Sequence, residues 1–246
     1  MNVRDISKDY LVSALQNVKK SLGEIDSEVY KHRIAAYSHL QGANKKLKMI
    51  ADARGENSIR DLLREVDIAL IFIGLGHDVE IEPDSGAAVG KNIDMKLSRG
   101  GKGCYLEATR FVQMFDGPKE LGEVDDGLLH EYGDITRDVE KACQKIILKF
   151  KQLGSGPAII AIWNDDQDME EIEVGMAIRK AIACGEHVPT NLLFILYISD
   201  WLGKQQMYCY PPRNDIESYA QDWMRELENS YVRPLIDNTC KILMGD

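Results

Sequence analysis

Apolar positions along this chain recur first with a helical period, then with a strand period, then in continuous runs. Tyr10, Leu11, Ala14, Leu15 and Val18 are spaced for one helix face, and a second helical pattern from about Ser27 to Ala53 carries Val29, Ile34, Ala35, Leu40 and Leu47. A third helix, capped by Asn57 or Ser58, is predicted to run toward Gly74, with Leu62, Val66, Ala69, Leu70, Phe72 and Ile73 on one broad arc. His77 to Glu82 alternates strictly and reads as a strand with Val79 and Ile81 inward. Asn92 to Leu97 and Cys104 to Phe111 are strand-like and flank Arg99-Gly-Gly-Lys-Gly103, the signature of a β-hairpin.

Further on, an amphipathic helix opened by Asp134 or Thr136 reaches about Leu153, packing Val139, Ala142, Ile146, Ile147 and Phe150. The continuous apolar runs Ala158 to Trp163 and Asn191 to Ser199 read as buried strands, with a helix from about Met169 to Ala183 between them. Lys204 to Tyr210 is a candidate last strand, and Ile216 to Leu227 and Tyr231 to Leu243 are helical. From Ser58 onward the order is therefore α-β-β-β-α-β-α-β-(β)-α. The fold class is α/β, with an α-helical N-terminal region over 1–56 and the α/β domain over 57–246.

Composition adjusts this picture in few places. The chain of 246 residues carries a net charge of -10, which weighs against a sequence-independent coat for nucleic acid. That balance reverses locally, since Lys91, Lys96, Arg99, Lys102 and Arg110 lie in a stretch whose only acids are Asp94 and Glu107. The five cysteines are scattered, with no Cys-x-x-Cys pair, which argues for reduced structural thiols and against zinc. No apolar run is long enough to span a bilayer and the first residues do not resemble a signal peptide, so the expected location is cytoplasmic and no membrane partner is expected. Gly-x-Ser-x-Gly, P-loop and His-Glu-x-x-His sequences are missing, which removes the chemistries they carry.

The candidate chemistry sits in the hairpin. Side chains alternate faces along a strand, so Asp94 shares a face with Lys96, and Glu107 shares one with Tyr105 and Thr109. If those faces coincide, two acids and a lysine converge in a manner suited to a divalent cation and a phosphate. The alternative is an ordinary solvated hairpin face. Glu65 falls inside the apolar arc of the third helix, where a carboxylate needs a salt-bridge partner or a solvated cleft, whereas Arg64 and Asp67 fall outside that arc. Lys141, Lys145 and Lys149 repeat at every fourth position and form a basic stripe, either a solvated face or a phosphate contact. Asp165, Asp166 and Asp168 follow a strand end and read chiefly as caps of the next helix.

The element order, together with Asp94, a spacer of twelve residues and then Glu107-Ala108-Thr109, resembles the PD-(D/E)xK nucleases of the restriction-endonuclease-like fold over roughly Ile59 to Asp200. That resemblance implies a mixed β-sheet core flanked by helices. It also implies Mg2+ or Mn2+ held by Asp94 and Glu107, with Glu65 as an accessory acid, and hydrolysis of phosphodiesters in DNA or RNA. Thr109 stands where the family has its lysine, and Lys96 is the expected replacement. Lys91, Arg99, Lys102, Lys141 and Lys145 are the expected nucleic-acid contacts. The competing expectation is an inactive nuclease-like module that binds nucleic acid or protein, and a homodimer is a further expectation.

Overall fold

The computed structural model describes residues 3–83, 93–112, 135–165, 169, 171–184, 188–199 and 206–245. Its centre is a six-stranded mixed sheet of β1 (Asp78–Ile81), β2 (Met95–Arg99), β3 (Lys102–Phe111), β4 (Ala158–Asn164), β5 (Leu192–Ser199) and β6 (Gln206–Tyr210), paired in chain order. β1, β2 and β3 form an antiparallel meander, β3, β4 and β5 run parallel, and β6 returns antiparallel. The β2–β3 turn is tighter than its sequence suggests: Arg99 pairs with Lys102 across Gly100 and Gly101 alone, both at positive φ (59° and 76°). Those signs suit a two-residue hairpin whose twist matches its strands, which is why two glycines stand there.

The helices divide between the two faces of the sheet. α4 (Ile135–Phe150) and α5 (Glu171–Ala183) are the crossovers that link the parallel strands, and both bury their apolar sides against Ile160, Ile162, Ile195 and Tyr197 on one face. Two successive right-handed crossovers progressing in one direction place their helices on the same side. The other face is covered by α3 (Glu56–Gly74) and α6 (Ser218–Glu228), with α1 (Val3–Tyr37), α2 (Ala43–Asp52) and α7 (Val232–Met244) joined to the same core. The N-terminal helical region thus shares its core with the sheet layer.

Three local readings are corrected. A break does separate the first helical pattern from the one at Ser27, since Gly23 inside α1 is non-helical (φ 83°), but the second pattern does not run unbroken to Ala53: α1 stops at Tyr37 and α2 starts at Ala43. The residue preceding α3 is Gly55, with no side-chain cap, so neither Asn57 nor Ser58 serves as its N-cap. Asp67, placed outside the apolar arc by helical geometry, is fully buried because α1 packs there, and Arg33 and Arg64 neutralise it at 2.9 and 3.0 Å.

Candidate active site

The site forms where β2 stops and β3 continues. Met95 pairs with Leu106, so extending the register by one position sets Asp94 opposite Glu107, while the remainder of β3 runs past its partner. Asp94 continues the pairing with its side chain, Oδ2 accepting the Ala108 N–H at 2.8 Å, while its carbonyl accepts the Glu82 N–H at 2.9 Å. Two fixed backbone contacts therefore hold this acid at the mouth of the hairpin. Glu107 lies on the β3 face covered by α4, where Lys149 donates to its Oε2 at 3.2 Å. Arg110 points to the opposite face, as alternation requires, and its guanidinium reaches Asp61 and Asn57 of α3 and Asp165 after β4.

A pocket of about 300 Å³ opens at this point, lined by Glu65 and Arg64 from α3, Asp94, Thr109 and Arg110 from the hairpin, and Lys145 and Lys149 from α4. Glu65 enters from the apolar side of α3 and finds a lysine as its partner: Lys46 of α2 bridges it to Glu82, at 2.5 and 2.9 Å. Burial, and then the nearby Asp94 carboxylate, push the Glu65 pKa up to about 7. Burial also raises that of Asp94, against the Ala108 N–H and the Lys149 charge. In Lys145, burial lowers the ammonium pKa, with Arg110 and Lys149 adding to the shift and Asp61 opposing it. Burial is the leading cause of all three shifts, so an added ion or phosphate would interact more strongly here than in open water.

The expected site residues are only partly assembled. Asp94 and Glu65 line the pocket, Glu107 joins it through Lys149, and Lys145 lines it directly. Lys96 is exposed, pairs with Tyr105 one pleat farther along the hairpin, and does not line the pocket. Arg99 is committed elsewhere, to Glu226 and the Leu75 carbonyl, and Lys102 is exposed with its Nζ over the Tyr219 ring at 5.6 Å. Lys141, half-buried on α4, does not line the pocket either, and Lys91 lies outside the described residues, as do Asp166 and Asp168. Asp165 is described and pairs with Arg64 and Arg110. Lys46 and Lys149 are the contributors that sequence reading left out of the site. Lys149 was visible as the last member of the basic stripe, whereas nothing local to Lys46 signals its burial.

The oxygen donors of Asp94 and Glu107 are the type that Mg2+ or Mn2+ takes. Among the described residues no group of three His, Cys, Asp or Glu side chains could hold a metal ion. Two carboxylates alone would leave most of the shell of such an ion to water and substrate oxygen, an arrangement common for Mg2+. No helix among the described residues is long and apolar enough to cross a membrane. No protein-family model matches the chain, and no curated protein matches it. A similar solved structure is a chain of the CdiA-CT/CdiI toxin and immunity complex from Burkholderia pseudomallei, 16% identical with a TM-score of 0.39, covering 65% of this chain and 92% of that one.

Proposed function

We propose that the chain is a Mg2+- or Mn2+-dependent phosphodiesterase that cleaves nucleic acid, with Asp94 and Glu107 as metal ligands and Lys149 as the site's lysine. The observation that carries this reading is Lys149 reaching Glu107 at 3.2 Å from α4, which supplies a cation beside the acid pair where Thr109 leaves the strand without one. The PD-(D/E)xK resemblance supports it too, through the α-β-β-β-α-β order and the Asp94 and Glu107-x-Thr109 positions.

A bound cation would polarise a phosphoryl oxygen and lower the pKa of its water. Lys149 offsets charge that develops on the phosphate, as a cation fixed in a poorly hydrated pocket does best. Glu65, with a pKa near 7, holds or releases a proton on its carboxyl at neutral pH and can orient water across the pocket from Asp94. Lys46 keeps that carboxyl in place through the second contact to Glu82.

Single- and double-stranded DNA and RNA incubated with purified protein and Mg2+ or Mn2+ test the proposal. Cleavage by the wild type should fall at least about 100-fold in Asp94→Asn and in Glu107→Gln, and by a similar factor in Lys149→Ala. Lys96→Ala should retain full activity. Cleavage that persists unchanged in both acid variants overturns the assignment. The Lys149–Glu107 pair also favours a second reading, in which a carboxylate neutralised by lysine marks a binding module without catalysis. Calorimetry separates the two, because that module should bind Mn2+ weakly or not at all.

A further inference from the structure

Lys145 differs from the other cations of the pocket. Arg64 and Arg110 are paired with aspartates, and Lys149 with Glu107. Lys145 is half-buried, donates to the Arg110 carbonyl at 2.6 Å, and stands over the Phe111 ring at 5.4 Å. Among the described residues it makes no ion pair with a carboxylate. An ammonium has three donors, and the Arg110 carbonyl occupies one. Asp61, the acid whose charge acts on Lys145, is itself paired with Arg110, so the partly buried ammonium keeps room for an anion that would offset its lost hydration. The side chain of Thr109, half-buried on the Glu107 face of β3, lines the same pocket and offers a hydroxyl donor.

Lys145 and Lys149 stand one helical turn apart, with Cβ atoms about 5–6 Å from each other. That is commensurate with successive phosphates of one extended strand. We infer that Lys145 and Thr109 seat a second phosphate beside the scissile one, so that the substrate is a strand with at least two consecutive phosphates rather than an isolated phosphodiester. The inference rests on the phosphodiesterase reading and narrows its substrate class. It also assigns Lys145 a separate role from Lys149: one holds the neighbouring phosphate, the other serves the reacting one.

Binding of unphosphorylated dinucleotides (one phosphate) and their 5′- or 3′-phosphorylated forms (two phosphates), measured by calorimetry with Ca2+ in place of Mg2+, tests the seat. One charge-assisted contact corresponds to about tenfold, so the wild type should bind one of the phosphorylated forms that much more tightly. Lys145→Gln keeps a donor for the Arg110 carbonyl but loses the charge, and should abolish the preference, while Lys145→Arg should keep most of it. On longer oligonucleotides Lys145→Gln should lower the salt dependence of binding by about one unit of slope. The seat is overturned if the wild type binds all the dinucleotides equally, or if Lys145→Gln retains the preference. Those results with cleavage intact leave the phosphodiesterase reading standing. A wild type that binds no dinucleotide and cleaves no nucleic acid removes both.

Discussion

Lys46 lies at 2% exposure between Glu65 and Glu82, so removing its charge would strand the Glu65 carboxylate in a poorly solvated place and leave Glu82 with Lys45. Breaking such a buried pair costs about 3–5 kcal/mol. Lys46→Met should lower unfolding free energy by an amount of this order in urea titrations, and a further Glu65→Gln exchange should recover part of it. His77 gives the pH dependence at this scale. It is buried against the rings of Phe72 and Trp223, its ring nitrogens have no hydrogen-bond partner, and burial lowers its pKa to about 4. The unfolded chain takes up this proton near 6.5 and the folded chain only near 4. The stability tied to neutral His77 is therefore fully present above about 6.5 and is lost as pH falls toward 4. His77→Phe should remove this part of the acid limb in a pH series of denaturation midpoints. Among single residues, Asp94, Glu107 and Glu65 were legible because strand alternation and helical phase mark a carboxylate among apolar neighbours. Lys46 and the burial of Asp67 were not, since both depend on α1 and α2 folding onto α3.

The elements were more legible than their partners. Every strand and helix from α3 onward appears in its expected order, because period-2 alternation, continuous apolar runs and glycine-rich turns are local signals. The break between α1 and α2 was missed, since Leu40 within residues 38–42 continues the helical spacing of apolar positions across it. The choice of Lys96 over Lys149 failed to bring a lysine into the pocket for a similar reason. Alternation puts Lys96 on the right face of the hairpin, but which helix covers that face is a matter of crossover geometry. Gly74 shows the same dependence on distant packing. A Cβ there would meet Thr239 Oγ1 at 2.4 Å and Leu235 Cδ1 at 2.7 Å, so α7 approaches α3 over a residue with no side chain. Gly74→Ala should destabilise the protein by about 1–3 kcal/mol through overpacking, read as a lowered thermal midpoint, despite the better helix propensity of alanine.

At the scale of the molecule, the pocket lies where the two helical layers meet the open end of β3: α3 contributes Glu65 from one side and α4 contributes Lys145 and Lys149 from the other. α2 ties the N-terminal helices to this place through Lys46, so a chain shortened before α3 should lose the orientation of Glu65 as well as part of its core. The central claim is that Asp94 and Glu107 together hold a divalent cation. Anomalous diffraction from crystals soaked in Mn2+ tests it most directly. The account predicts one peak between the two carboxylates, at the 2.0–2.2 Å or so expected of short metal–oxygen bonds, and no peak there in Glu107→Gln crystals. A peak elsewhere, or one at the same place in Glu107→Gln crystals, would contradict it.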